Sequence, residues 1–115
     1  MLRMTVAALL MLLVVAPTNA AAASFDCRQV RTADEIAICG NRELNDLDVR
    51  MATLYEVTTG FVAMGQRGAM RDEQREWLAQ RHVCRADVRC LRRSYRQRIV
   101  ELEGVVAEIK SRGPF

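Results

Sequence analysis

Histidine and aromatic side chains are scarce in this sequence: one histidine, His82, one tryptophan, two tyrosines and three phenylalanines among 115 residues. A single histidine excludes a histidine-built metal cluster. It also leaves a Ser-His-Asp arrangement with only Ser24, Ser94 or Ser111 as nucleophile, none in a nucleophile-elbow context. Neither G-x-x-x-x-G-K-[ST] nor G-x-G-x-x-G occurs, so no nucleotide cradle is expected. Prolines number two, strand signals are nearly absent, and no repeat or low-complexity tract follows residue 23. Carboxylate neighbours such as Asp46 with Asp48, or Glu73 with Glu76, read as ordinary solvated helical pairs rather than glycosidase acids. The length allows one small domain and excludes a large multidomain enzyme. A non-catalytic protein with no cofactor and no metal is the expectation.

Long apolar runs are confined to the start. Of the first 23 residues 18 are apolar, against 40 of the remaining 92. Arg3, an apolar run over 6–16 and a small-residue stretch ending at Ala23 have the order of a signal peptide, residues 1–23, with cleavage expected after Ala20 or Ala23. An eleven-residue helix rises roughly 16 Å, about half a bilayer core, so no transmembrane helix is expected in the mature form. Cys27 follows Ser24-Phe25-Asp26 rather than a lipid-attachment box, and no lipid anchor is expected. The mature domain is 24–115, periplasmic or secreted.

Export makes disulfides the natural state of Cys27, Cys39, Cys84 and Cys90. Four cysteines permit three pairings. The local closures, Cys27 with Cys39 and Cys84 with Cys90, cost the least loop entropy and are the expected pair. The spacings C-x11-C and C-x5-C lack the C-x2-C knuckles of structural zinc sites.

What the mature chain does contain is helical periodicity. Thr32-Ala33-Asp34-Glu35 has the form of a capping box opening a short helix that ends near Cys39-Gly40. Asn41 can cap a second helix with Leu44, Leu47, Met51, Leu54, Tyr55 and Thr58 on one face, continued by Phe61 and Val62. Glycines at 60, 65 and 68 place the next turn at 64–68. A third helix aligns Met70, Gln74, Trp77, Leu78 and Arg81. After an Ala86-Asp87 cap, a long fourth helix carries Leu91, Tyr95, Ile99, Leu102, Val105, Val106 and Ile109 and ends at Gly113-Pro114. The fold expected is all-α, a small bundle of three to four helices stapled by two disulfides.

Charged residues on the apolar faces need partners. Asp48, Gln74, Arg81 and Arg98 are the expected structural polar core, with Asp48 paired to Arg81 or Arg98 and the tyrosine hydroxyls satisfying what remains. The functional alternative is that Asp48, Gln74 and Arg81 line a ligand cleft. Trp77 reads as a core anchor. The charge is divided along the chain: residues 24–66 balance at −3 and residues 67–98 at +6. Arg67, Arg71 and Arg75 form a stripe at helical spacing, and Arg85 and Arg92 extend it around the second cysteine pair. These five are the candidate partner-binding residues. In an exported protein, nucleic acid is not an expected partner. An anionic envelope component or a protein surface is.

The segments SFDC, EIAIC, ELNDLDVRMATLY, RDEQREWLAQRHVC and CLRRSYRQRIVEL, in that order, resemble the LprI-like lysozyme-inhibitor domain, a family of exported bacterial proteins. The resemblance spans nearly all of the mature chain. It implies an all-helical, disulfide-containing domain that inhibits lysozyme by direct binding and steric blockade, with lysozyme as the protein partner. The alternative is an envelope-stress or interaction module using its arginine-rich face. The missing lipid-attachment cysteine separates this chain from lipoprotein members.

Overall fold

The computed structural model describes residues 23–113. The expected leader therefore lies outside the described residues except for Ala23, as does Pro114. Four helices follow one another: α1 (Ala33–Gly40), α2 (Arg42–Phe61), α3 (Met64–Val83) and α4 (Val88–Arg112). No strand occurs among the described residues. Contacts pair Glu43 with Arg92 and Arg50 with Glu103, so α2 and α4 run parallel. Gln74 meets Arg98 and Arg81 meets Tyr95, so α3 runs antiparallel to α4; it packs beside the directly paired α2 and α4, and α1 joins it through Asp34 and Arg81.

The helix boundaries follow local chemistry. The Asn41 side chain accepts the Leu44 N–H at 3.1 Å, and the Asp87 carboxylate accepts the Cys90 N–H at 3.0 Å, so both expected caps form. Thr32 is the N-cap of α1, but without a side-chain cap bond, and the capping box suggested by the sequence is not made. Glu35 instead stands 3.9 Å from the Arg81 guanidinium.

The turn between α2 and α3 lies at Val62-Ala63, two extended residues, not at 64–68. Val62 is buried in the core and pins the reversal. Arg67 reaches back to the orphan carbonyls of α2, donating to Thr59 O at 2.8 Å and Val62 O at 3.5 Å. Gly65 and Gly68 are thus absorbed into the first turns of α3.

The core gathers Ile38, Leu44, Met51, Val62, Met70, Trp77, Leu91, Tyr95, Ile99 and Leu102, one face from each helix. Trp77 is the anchor expected: its indole N–H donates to Ser94 O at 3.1 Å, and its ring meets Tyr95 edge-on at 5.2 Å. Phe61 departs from the stripe and is 62% exposed.

Both disulfides close locally, Cys27–Cys39 and Cys84–Cys90, as loop entropy favours. The first ties the N-terminal segment to α1, and the second closes the α3–α4 turn. Replacing Cys27 and Cys39 together by serine is expected to cost about 3 kcal/mol in urea denaturation, and the shorter Cys84–Cys90 loop about 2 kcal/mol. Intact mass should rise by four hydrogens on full reduction.

Candidate functional site

The polar residues of the bundle form one junction around Arg81. This side chain enters from α3 and is 6% exposed, so its charge has little access to water. Its Nε donates to Asp34 Oδ2 at 3.0 Å, and its Nη1 donates to the Tyr95 hydroxyl at 3.3 Å. That hydroxyl donates in turn to Asp48 Oδ1 at 2.8 Å. Arg81 and Asp48 are themselves 3.9 Å apart, within ion-pair range, but Tyr95 makes the connecting hydrogen bonds. The guanidinium also lies 5.6 Å from the Phe25 ring centroid and 5.8 Å from that of Trp77, a desolvated cation between two aromatic faces.

All four helices and the N-terminal segment meet here. Asp34 comes from α1, Asp48 from α2, Arg81 from α3 and Tyr95 from α4, and the Ser24 backbone N–H donates to Asp48 Oδ2 at 2.6 Å. Burial pushes the Asp34 carboxyl upward. The Thr32 hydroxyl, the Arg81 charge and hydrogen bonds from His82 and Arg81 outweigh that and hold it below the ordinary carboxylate range. Burial, and then the neighbouring Asp48 charge, push the Tyr95 hydroxyl far upward, so it remains a neutral donor.

Arg98 serves a second, separate contact. It is 3% exposed, donating from Nε to Gln74 Oε1 at 3.0 Å and from Nη1 to Glu101 Oε2 at 2.9 Å. Of the two partners considered for Asp48, the structure therefore selects Arg81. Gln74 bridges α3 to both neighbours, its amide nitrogen 3.3 Å from Met51 Sδ. Sequence reasoning missed Asp34, which it passed over as an interior position of the Thr32–Glu35 capping box. Its i,i+4 relation to the buried Ile38 was the available signal.

The five candidate partner-binding arginines are not brought together as one face. Arg67 is spent on α2 carbonyls. Arg92 makes a two-pronged contact with Glu43, both bonds 2.8 Å, and Arg96 joins the same carboxylate at 3.3 Å. The Arg92 hydrogen bond accordingly holds the Glu43 carboxyl low. Arg75 pairs with Asp72 on the surface of α3, where Arg71 is also exposed. Arg85 is exposed in the Cys84–Cys90 loop with φ 51°, the left-handed region that L side chains disfavour.

A cleft of ≈ 690 Å³ borders the junction, lined by Ser24, Phe25, Glu35, Tyr55, Gln74 and Arg81 among others. A second groove of ≈ 610 Å³ runs between the far ends of α2 and α4, lined by Val57, Thr58, Val106 and Ile109 among others. Among the described residues, no group of three or more His, Cys, Asp or Glu side chains is arranged to hold a metal ion, and no helix is long and apolar enough to cross a membrane.

These features define a class: a helical scaffold cross-linked by two disulfides and organised around a buried ionic junction. Over 82 residues the chain is 29% identical to the protein named Lipoprotein LprI in Mycobacterium bovis and in two strains of Mycobacterium tuberculosis. The aligned region covers 69% of this chain and 40% of those lipoproteins, so the chain spans well under two thirds of their length. No family model matches the chain, and no solved structure matches it.

Removing the Arg81 guanidinium leaves two buried carboxylates uncompensated. Arg81→Met is expected to destabilise the domain by about 3–5 kcal/mol, and Tyr95→Phe by about 1–3 kcal/mol, both read by chemical denaturation. The Asp34 carboxyl titrates lower in the folded than in the unfolded chain, whose value is near 3.8. Its stabilisation is complete above that value and disappears as pH falls through the depressed folded one. Asp34→Asn should lower stability at neutral pH and flatten the stability–pH curve below about pH 4. An unchanged acid limb would count against this role.

Proposed function

We propose that the protein is exported, periplasmic or secreted, and inhibits lysozyme by binding and blocking it without turnover. The observation that carries this reading is the 82-residue alignment, at 29% identity, with the LprI lipoproteins. It is joined by the ordered motifs that resemble the LprI-like lysozyme-inhibitor domain. A rigid scaffold suits steric inhibition, because little conformational entropy is lost on docking.

The physics of the target supplies a contact. Lysozyme hydrolyses its substrate between two carboxyl groups in a cleft, so a projecting guanidinium is complementary to the acid pair. Arg67 and Arg92 are engaged between helices, which leaves for a partner the exposed Arg71 and Arg85, and Arg75, whose only pairing is with Asp72 on the α3 surface. Arg85 is the favoured prong. A non-glycine residue held in left-handed backbone costs about 1–2 kcal/mol. An arginine at this exposed, disulfide-closed turn brings no gain in backbone stability, which supports a recognition role for it.

Purified oxidised protein should protect bacterial cell walls from lysozyme at close to one inhibitor per enzyme. Unchanged lysis at excess protein would reject the reading. Arg85→Gly should stabilise the fold by about 1 kcal/mol while weakening protection at least tenfold. Arg92→Ala should instead act chiefly through fold stability. The envelope-binding alternative rests on exposed Arg71 and Arg75. It predicts salt-sensitive retention on anionic envelope material, lost on reversing both to glutamate, with no effect on lysozyme.

A further inference from the structure

We propose that removal of the leader after Ala23 is a structural step, converting the Ser24 nitrogen into an α-ammonium that completes the buried junction through an ion pair with Asp48. This inference rests on the export reading above. Its geometry is already in place: the Ser24 nitrogen is 2.6 Å from Asp48 Oδ2.

The junction is one positive charge short. Asp34 and Asp48 are 1% and 0% exposed, and Arg81 is the buried cation that serves both. Glu35, from α1, adds a partly exposed negative charge near the same guanidinium, and Glu56 of α2 lines the adjoining cleft. His82, on α3, faces Asp34 from the solvent side, and Tyr95, from α4, is a neutral donor. The second buried arginine, Arg98, is committed to Gln74 and Glu101. A buried carboxylate that receives a cation in place of a neutral amide gains a charge-assisted bond at a site where unpaired charge is costly.

The position of Ser24 is set from its C-terminal side, so release of residue 23 does not free it. Phe25 packs over the Arg81 guanidinium, and Cys27 is bonded to Cys39 of α1. Ala23 is buried in the folded domain, so the peptidase meets this bond while the segment is still extended, before the domain closes around it. Hydrolysis breaks the amide bond between Ala23 and Ser24 and consumes one water. It yields a carboxylate on Ala23 and an ammonium on Ser24, with no change of oxidation state.

Ala21 and Ala23 supply the small residues that a signal peptidase requires at that bond. Cleavage after Ala20 would place the amine three residues earlier, up to about 10 Å along the chain from Asp48. Of the two cleavage sites that the leader composition allows, cleavage after Ala23 is the one that puts a charge on the Ser24 nitrogen.

The test uses the full chain expressed with its leader in a bacterial host. Intact mass of the periplasmic protein should correspond to a start at Ser24. That protein has two amines, the Ser24 α-amine and the side chain of Lys110, the single lysine. Amine acetylation followed by mass spectrometry against pH gives the titration of each. A free α-amine titrates near 7.7–8.0, and the Ser24 amine is expected at least one unit higher, acetylating about fivefold more slowly at pH 8 in the folded than in the denatured chain. Lys110 serves as the internal reference.

A raised amine pKa contributes stability that is complete below the unfolded value and vanishes as pH rises through the folded one. The difference in melting temperature between free and α-acetylated protein should therefore shrink above about pH 9. Asp48→Asn should return the amine to ordinary reactivity. Should that variant not fold, the acetylation comparison on the unaltered protein decides alone. A mature protein beginning at Ala21, or a Ser24 amine titrating in the ordinary range, overturns the proposal and leaves export intact. A chain that keeps residues 1–23 in the cytoplasm overturns the export reading itself.

Discussion

The burial of Arg81 is the constraint on which the rest of the bundle depends. A guanidinium that is 6% exposed cannot be left to solvent, and its hydrogen bonds, with the one that Tyr95 passes on, reach Asp34 of α1, Tyr95 of α4 and Asp48 of α2. One side chain therefore fixes the relative placement of all four helices. Apolar contacts carry little directional preference, so packing by itself constrains the register of α3 less than directional bonds do. The directional bonds of the junction set that register, and the energetic cost of leaving any member unpaired makes the arrangement unique.

The two disulfides act at the edges of this junction. Cys27–Cys39 holds the segment that brings Phe25 against Arg81 and the Ser24 nitrogen against Asp48. Cys84–Cys90 closes the turn between the helices that carry Arg81 and Tyr95, and Arg85 lies in left-handed backbone at the surface of that loop. Covalent restraint and buried charge are thus coupled.

The arginine-rich half of the chain performs three tasks that composition does not separate. Arg81 and Arg98 are internal, Arg67 and Arg92 join helices to one another, and Arg71 and Arg85 face solvent. A stripe at helical spacing identifies which arginines share a side of α3. It does not say whether a neighbouring helix supplies carbonyls or a glutamate within reach. Arg67 is taken up by the Thr59 carbonyl across the α2–α3 turn and Arg92 by Glu43, 49 positions away, neither of which the spacing of the stripe registers.

Local chemistry by itself determined the all-α class, the succession of helices, the Asn41 and Asp87 caps and the core-facing placement of Asp48, Arg81, Trp77 and Arg98, and it favoured the local pair among the three possible disulfide pairings. Each depends on helical periodicity, capping or short loop closure, which act within a few turns of the chain. The tertiary structure alone decided that Asp34 is the direct acceptor for Arg81, that Tyr95 relays to Asp48, that Val62-Ala63 makes the turn, and that the Ser24 nitrogen lies against a buried carboxylate. Those outcomes join residues up to 47 positions apart. A buried charge accepts whichever partner the packing of several helices brings to it, and that choice is made by the assembled core.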